Sequence, residues 1–285
     1  MSMSVEPSTN DNGYMSVTYD VNASLPVTNL NTNEQLFEKL WTDLSNFVRI
    51  TCLNRDETHG YNHMCQVATL GMRICNNFYP LNYDSDNKSS NNDLGDGTNN
   101  ANGNEIDFIT KCLVCIVAWL HDVNDSKYAC DDNKVAIDKF LSYIYGKYEV
   151  VTEGYNNEHN FVTDLNLAID YVSYSKEVKL FGKLEVARWE QVLPSQRLIL
   201  VRNIVSDADK IESLGSGGVE RCIGYSRHKH PGRDDKQHIK HLVDHYDEKL
   251  GHLYDKYIVT SAGKLLAKQP HDIMLDIVSQ YRSQV

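Results

Sequence analysis

Apolar side chains recur at helical spacing along most of the chain from residue 34 onward. The first helical face is formed by Leu36, Phe37, Leu40, Trp41, Leu44, Phe47 and Val48. The stretch from Ile106 to Leu120 is apolar on nearly all sides, which is typical of a central helix buried by its neighbours. Further helices are predicted at about 61–78, 132–147, 160–173, 195–214, 237–257 and 261–282. Because strand-like alternation is scarce, the predicted fold class is all-α.

Proline and glycine mark several predicted helix boundaries. Pro194 lies where a helix is expected to start, and Gly215 lies just past an expected helix end. With Gly217 and Gly218, Gly215 is expected to terminate a helix rather than open one after a strand, which argues against a phosphate-binding glycine loop. Pro270 is expected to break or kink the last helix.

Two polar segments interrupt the helical pattern. Residues 1–33 are rich in Asn, Ser and Thr without periodicity and are predicted to form a disordered tail. Residues 82–104 repeat Asn, Asp, Gly and Ser and are predicted to form a flexible insertion. These segments shorten the effective length of the 285-residue chain, so residues 34–285 are predicted to form one helical domain.

Composition and charge exclude several classes of protein. A formal charge of −11 argues against a nucleic-acid binder, since such proteins need clustered Lys and Arg. The polar N-terminus does not resemble a signal peptide, and no apolar run is long enough to span a membrane. The odd number of cysteines, 7, predicts reduced thiols, with Cys112 and Cys115 as buried small side chains. The expected location is therefore the cytoplasm.

Candidate chemistry centres on His121-Asp122, which ends the apolar stretch. With His63 upstream and Asp209 downstream, two imidazoles and two carboxylates come from three predicted helices. Such a set suits Mn²⁺, Fe²⁺, Co²⁺ or Zn²⁺ and leaves positions for water and substrate. Helices that cross at the centre of a bundle can point these side chains inward. The pattern predicts a divalent-metal site.

The motifs resemble those of the HD-domain metal-dependent phosphohydrolase superfamily. Its ordered signature is matched by His63-x-x-x-Val67-Ala68, by His121-Asp122 and by Ala208-Asp209-Lys210. The match is sharper with the small bacterial HD hydrolases that include nucleoside-triphosphate pyrophosphohydrolases. It extends to His59-Gly-Tyr-Asn-His63, His121-Asp-Val-Asn-Asp-Ser-Lys127, Asp207-Ala-Asp-Lys-Ile-Glu-Ser-Leu-Gly215, Gly218-Val-Glu-Arg221 and His245-Tyr-Asp-Glu-Lys249. One departure is Gln66, which stands where that subgroup often has Arg.

The resemblance implies a single HD-domain helical bundle and a set of site residues. It assigns one divalent ion (Mn²⁺, Co²⁺, Fe²⁺, Mg²⁺ or Zn²⁺) to His63, His121, Asp122 and Asp209. It implies that Asp125 orients water or handles a proton, although an N-cap role is the alternative. Asp207, two residues from Asp209, is expected to be a solvated or second-layer carboxylate.

Basic side chains near the motifs are candidates for contacts with substrate phosphates. They are His59, Lys127, Lys176, Arg221, His245 and Lys249. His59 is equally compatible with the exposed start of a helix. In the His-rich segment at 228–252, only His245 has motif support, and whether His159 contributes to a second metal ion stays open.

The predicted reaction is hydrolysis of nucleotides, with release of pyrophosphate from a (deoxy)nucleoside triphosphate as the first choice. A nucleoside monophosphate, a cyclic nucleotide or an alarmone is the alternative substrate, and a di-iron oxygenase is a variant on the same helices. A non-catalytic nucleotide sensor and a metal-stabilised structural domain are the rivals from other classes. The expected partner is a small-molecule nucleotide, without nucleic acid or membrane, and a homodimer is compatible with the resemblance.

Overall fold

Helices account for nearly all of the structure that surrounds the predicted motifs. The computed structural model describes residues 32–53, 55, 60–77, 106–125, 131–183 and 185–284, with the backbone of two short strands. The strands, β1 (Ser8–Thr9) and β2 (Met15–Ser16), pair antiparallel. The predicted insertion at 82–104 lies outside the described residues, and so does the predicted tail apart from these strands and residues 32–33.

The helical elements confirm the all-α prediction. The α-helices are α1 (Asn33–Thr51), α2 (Tyr61–Asn76), α3 (Phe108–Leu120), α4 (Asp131–Lys147), α5 (Glu158–Asp170), α6 (Tyr174–Phe181), α7 (Gln196–Glu212), α8 (Gly215–Lys229), α9 (Asp235–His245) and α10 (Ser261–Arg282). A 3₁₀ turn spans Trp189–Gln191, and two π-helical turns follow α9 at Tyr246–Leu250 and Leu253–Tyr257. Within the described ranges, no helix combines the length and apolar content that crossing a membrane requires.

The centre of the bundle is α3, whose residues from Cys112 to Leu120 are all buried. Helices α1, α2, α5 and α7 pack around it, and α2 also packs against α7. Asp107 caps the start of α3 by accepting a hydrogen bond from the Thr110 amide at 2.9 Å. Ser195, directly after Pro194, caps α7 by accepting one from the Leu198 amide at 3.2 Å. The helices that carry the three motifs therefore meet in the core.

The cysteines of α3 are packing residues, as predicted. Cys112 and Cys115 are fully buried free thiols. Burial raises the pKa of Cys112 to about 12 and raises that of Cys115 well above its ordinary value. Both thiols therefore stay protonated near neutral pH, which removes the thiolate that redox chemistry or metal binding needs.

Gly215 and Pro270 each differ in part from what the sequence predicts. Gly215 does have the left-handed φ of +75° that suits a helix end, but it also opens α8, which contains Gly217 and Gly218. Its bare Cα lets α8 start beside α10, since a Cβ at Gly215 would lie 3.3 Å from the Pro270 side chain. Pro270 does not break α10, which runs without interruption from Ser261 to Arg282.

Gly218→Ala is expected to destabilise the protein strongly, because the turn between α7 and α8 leaves no room for a Cβ. A Cβ at position 218 would lie 2.1 Å from the Ser213 carbonyl oxygen and 2.9 Å from the Met274 side chain. We expect the free energy of unfolding to fall by at least about 2 kcal/mol, as for other overpacked sites. Urea unfolding followed by circular dichroism measures the loss.

Gly217→Ala is the matched control, because it makes the same change one residue earlier. No atom lies within 4 Å of a Cβ built at Gly217. Alanine favours the helix over glycine by up to about 1 kcal/mol, so this variant should be as stable as the parent or slightly more so. Equal stabilities of the two variants would contradict the steric account.

Candidate metal centre

The predicted ligands lie at the ends of three packed helices. His63 is in the first turn of α2, His121 and Asp122 follow directly on α3, and Asp209 is in the last turn of α7. The apolar face of each helix faces the core, so the polar residues at its end are carried to the edge of the core. The packing of α2 against α3 and α7 then brings the three ends together.

The donor atoms of these side chains form one cluster. The Nε2 atom of His63 lies 3.2 Å from the Nε2 atom of His121. It also lies 3.5 Å from Asp122 Oδ2 and 3.6 Å from Asp209 Oδ1. The Nε2 atom of His121 lies 3.8 Å from Asp122 Oδ1 and 3.9 Å from Asp209 Oδ1. Three helices therefore deliver four side chains to one point.

The Nδ1 atoms of both imidazoles, which face away from the cluster, form hydrogen bonds with protein acceptors. The Nδ1 atom of His121 lies 2.8 Å from the carbonyl oxygen of Ala118, and that of His63 lies 3.2 Å from Glu212 Oε2. Since a carbonyl and a carboxylate only accept hydrogen bonds, each Nδ1 must carry the proton. In the neutral rings, both Nε2 lone pairs then face each other. Two lone pairs at 3.2 Å repel unless a proton or a cation lies between them.

The electrostatic surroundings of His63 also favour a cation. Burial alone lowers the pKa of this imidazole, but the carboxylates of Asp122, Glu212 and Asp209 raise it to about 10. The raised pKa reflects a strongly negative potential at a buried position. A positive charge is therefore stabilised here, as a proton or as a metal ion.

The donor spacing fits a divalent metal ion. Bonds of about 2.1 Å place neighbouring ligand atoms about 3.0 Å apart at right angles and about 3.4 Å apart in a tetrahedron. The closest donor atoms of His63, His121 and Asp209 all lie within 4.8 Å of one another. Asp122 faces the two imidazoles with different oxygens, and rotation about its last torsion selects between them. Nitrogen and carboxylate donors together suit Mn²⁺, Fe²⁺, Co²⁺ or Zn²⁺.

The two carboxylates form the more open side of the cluster. The side chains of Asp122 and Asp209 are 18% and 24% exposed, whereas that of His121 is 2% exposed. A ligand that reaches the cluster from solvent therefore meets the carboxylates first.

Glu212 and Arg55 contact the predicted ligands, although neither is among the site residues predicted from the sequence. Glu212 follows Asp209 by one helical turn within the third motif, a spacing that is a usable signal. Arg55 donates a hydrogen bond of 2.6 Å to the Asp122 carbonyl oxygen and a second bond to the Val123 carbonyl oxygen. It thereby clamps the turn that presents Asp122. No local pattern indicates this role, because Arg55 precedes α2 and the turn follows α3.

Asp207 corrects an expectation from the sequence. It is fully buried rather than solvated. Its carboxylate accepts hydrogen bonds from the Val259 amide at 2.9 Å, and from the amide and hydroxyl groups of Thr260 at 2.8 and 2.7 Å. Asp207 therefore ties α7 to the start of α10 and is not part of the donor cluster.

The predicted substrate-binding residues lie in different surroundings. Arg221 donates hydrogen bonds to the side chain and the backbone of Glu212. The Nζ atom of Lys176 lies 2.7 Å from Asp170 in an exposed ion pair. Lys249 lies in the π-helical turn at Tyr246–Leu250. Its Nζ atom lies over the Tyr174 ring, 4.9 Å from the ring centroid.

His245 immediately precedes that turn and is partly buried. Burial and, to a smaller extent, the charges of Lys249 and His241 hold the pKa of His245 below its ordinary value. Its ring is stacked on that of His241, with centroids 6.3 Å apart. His245 is therefore mainly neutral near neutral pH, and hydrogen bonding suits it better than charge pairing.

The remaining candidates differ in how far the structure describes them. Asp125 belongs to the turn after α3, where its amide donates to the Asp122 carbonyl oxygen at 3.0 Å. His59 and Lys127 lie outside the described residues. His159, considered for a second metal ion, is exposed on α5. Among the described residues, the cluster at His63 is the only group of three or more potential ligands that could hold a metal ion.

Comparison with known proteins gives structural matches alone. Neither a family model nor a curated protein matches the sequence. A structural-genomics protein from Lactobacillus plantarum is 20% identical, with 87% of this chain and 97% of that chain aligned at a TM-score of 0.53. YpgQ of Bacillus subtilis, solved in complex with ADP, is 16% identical, with 89% and 96% aligned at a TM-score of 0.51.

A structure described as an HD-superfamily hydrolase, from Bacillus thuringiensis, is also similar. It is 17% identical, and 89% of this chain and 98% of that chain align at a TM-score of 0.48. The order of the clustered ligands along this chain, His, His-Asp and then Asp, is the order on which the sequence resemblance rests. The chain shares its overall helical fold with YpgQ and with the Lactobacillus plantarum protein.

Proposed function

We propose that this protein is a metal-dependent phosphohydrolase that acts on nucleotides. The observation that carries the proposal is the pair of inward-facing Nε2 atoms, 3.2 Å apart, with the carboxylates of Asp122 and Asp209 beside them. Such a cluster favours a proton or a metal ion at its centre, and it has the donor types of a catalytic metal site. The fold supports the same reaction class.

The residues of the chain divide the work. His63, His121, Asp122 and Asp209 would hold one divalent ion. When bound, the ion supplies positive charge that screens phosphate oxygens and lowers the pKa of a water molecule. The carboxylate of Asp125, in the turn that presents Asp122, would accept a proton from the attacking water or return one to the leaving oxygen.

A nucleoside triphosphate is the substrate that we favour. The small bacterial HD hydrolases that the motifs resemble include nucleoside-triphosphate pyrophosphohydrolases. YpgQ, which has a similar fold, was solved in complex with ADP. In this reaction, a water oxygen bonds to the α-phosphorus while the bond from that atom to the bridging oxygen breaks. Pyrophosphate leaves, and a nucleoside monophosphate remains.

A nucleotide panel tests the proposal. Ribo- and deoxynucleoside triphosphates, diphosphates, monophosphates, cyclic nucleotides and an alarmone would each be incubated with Mn²⁺, Co²⁺, Mg²⁺ or a chelator. We expect equal amounts of pyrophosphate and monophosphate from triphosphates with a metal, and no turnover after chelation. Orthophosphate released from a monophosphate would reassign the substrate. Absence of metal-dependent turnover of every nucleotide would overturn the proposed function.

A further inference from the structure

We propose that Glu212 and Arg221 form a positioning pair that orients His63 for metal binding, so that Arg221 sets metal affinity instead of contacting substrate phosphate. The proposal rests on the metal-binding part of the proposed function and not on the choice of substrate. Both residues lie outside the predicted donor set of four. Their hydrogen bonds form a continuous path from α8 through the end of α7 to α2.

Glu212 selects which nitrogen of His63 faces the metal cluster. Its Oε2 atom lies 3.2 Å from Nδ1 of His63, so this carboxylate holds the Nδ1 proton and leaves the Nε2 lone pair directed inward. A hydrogen bond from Nδ1–H to a carboxylate also makes Nε2 more basic, so Nε2 binds a metal ion more strongly. The Glu212 side chain is only 9% exposed, so water competes weakly for this hydrogen bond.

Arg221 holds Glu212 at two points. One guanidinium nitrogen donates to the same Oε2 atom that contacts His63, and the other donates to the Glu212 carbonyl oxygen at 2.6 Å. The second bond satisfies a carbonyl at the C-terminal end of α7, where a cation also interacts favourably with the helix dipole. The planar guanidinium can make both bonds at once, whereas a lysine ammonium is a single point of charge.

Arg221 also balances part of the negative charge around His63. His63 is surrounded by the carboxylates of Asp122, Asp209 and Glu212. Arg221 neutralises the one that lies on the far side of the ring from the donor cluster. Glu212 is thereby kept on Nδ1 and is not drawn toward a cation held by the other two. The carboxylates therefore have different roles: those of Asp122 and Asp209 would bind the metal, whereas that of Glu212 orients the His63 ring.

Direct metal binding distinguishes this role from phosphate recognition. Mn²⁺ would be titrated into the full-length, metal-free protein without nucleotide, with free Mn²⁺ measured by electron paramagnetic resonance. Glu212→Gln and Arg221→Gln should each weaken Mn²⁺ binding by about 10- to 100-fold, the range for lost outer-layer partners of metal ligands. Because both act through one hydrogen bond to His63, the double variant should lose little more than either single variant.

Arg221→Lys and Arg227→Gln are the companion variants. Arg221→Lys keeps the charge but loses the paired geometry, so an intermediate loss of Mn²⁺ affinity is expected even if Arg221→Gln does not fold. Arg227 lies on the same helix and pairs with Asp235 at 2.9 Å on the surface, where the two side chains are 60% and 80% exposed. Its change to Gln should leave Mn²⁺ affinity unaltered. The KM for nucleotide at saturating Mn²⁺ should also be unaltered in Arg221→Lys.

Unchanged Mn²⁺ affinity in Glu212→Gln and Arg221→Lys would overturn the positioning pair. A raised KM in Arg221→Lys with parental Mn²⁺ affinity would overturn it in favour of a phosphate contact. If the parent protein binds Mn²⁺ but hydrolyses no nucleotide, the proposed function fails while the positioning pair is still decided by the titration. If the parent protein does not bind Mn²⁺, both proposals fall.

Discussion

Replacing His121 with alanine is expected to abolish divalent-metal binding and nucleotide hydrolysis together. Its Nδ1–H donates to the Ala118 carbonyl oxygen, and its Nε2 atom faces His63 at 3.2 Å, so Nε2 is the atom of this ring that is directed at the metal position. Losing a direct ligand should weaken Mn²⁺ binding by more than about 100-fold, beyond the loss attributed to outer-layer partners. Mn²⁺ titration and product assays on the purified variant measure the two effects.

Asp125→Asn is the informative counterpart of the His121 variant. It removes the proposed proton handler without removing a predicted ligand, so Mn²⁺ affinity should stay within a few-fold of the parent. Turnover should fall by about 10²- to 10⁴-fold, the usual contribution of general acid–base catalysis. Metal-dependent turnover that survives in His121→Ala would place the reaction elsewhere. A melting temperature that depends on metal in a parent protein without turnover would favour a structural metal instead.

The sequence predicted the helices with clear apolar stripes, and it missed two of the others. Helix α3 was found because its neighbours cover it on every side, which leaves an apolar stretch with a polar end. Helix α6 has only eight residues, so its apolar positions Tyr174, Val178 and Phe181 cover barely two turns, and its buried residue is the charged Glu177. Helix α8 was missed because glycines mark a helix end and a tight helix start equally well. Only the packing of Gly218 against Ser213 decides between them.

The sequence predicted the four candidate metal ligands, but it did not predict the residues that hydrogen-bond to the segments carrying them. His63, His121, Asp122 and Asp209 stand in short motifs that can be recognised along the chain, and folding brings them together. The contact from Arg55 to the turn after α3 depends on tertiary distance alone, so no spacing in the sequence reveals it. The same applies to Asp207, whose partners lie more than fifty residues away.

A charged cluster in the core next to the candidate metal centre gives the largest expected effect on stability. Glu177 of α6 accepts a hydrogen bond from Arg202 at 2.6 Å and another from Lys210 at 3.1 Å. Arg202 is fully buried and Lys210 nearly so. Arg202 also stacks on the Trp189 ring at 3.8 Å, and Lys210, which adjoins Asp209, donates to Ser206. Glu177 therefore hydrogen-bonds both buried cations, and the buried Asp207 carboxylate adds a second negative charge near them.

Glu177→Gln is expected to lower the free energy of unfolding by about 3–5 kcal/mol, the usual cost of breaking a buried ion pair by removing one partner. The amide keeps the shape of the side chain but removes the charge that pairs directly with Arg202 and Lys210. Urea unfolding at neutral pH measures the difference from the parent. Since α7 carries both Lys210 and Asp209, weaker metal binding is expected alongside the loss of stability.

The pH dependence of the same variant gives an independent test. Burial alone raises the pKa of Glu177, but Lys210 and Arg202 lower it below its ordinary value. A lowered pKa in the folded state means that the ionised carboxylate stabilises the protein above the unfolded-state pKa of about 4.3. This stabilisation is lost as the pH falls through the folded-state value. The stability difference between parent and Glu177→Gln should therefore shrink below about pH 4.3.

Asp170→Asn supplies the matched control, because it also converts a paired carboxylate to an amide. Asp170 pairs with Lys176 at 2.7 Å, but the two side chains are 61% and 49% exposed. Water and salt screen such a pair, so its loss should cost no more than about 1 kcal/mol at any pH. Equal unfolding free energies for the two variants would show that burial adds nothing to the Glu177 cluster. If the difference in unfolding free energy between the parent and Glu177→Gln stayed the same at acidic pH, the substitution would act through packing and not through charge.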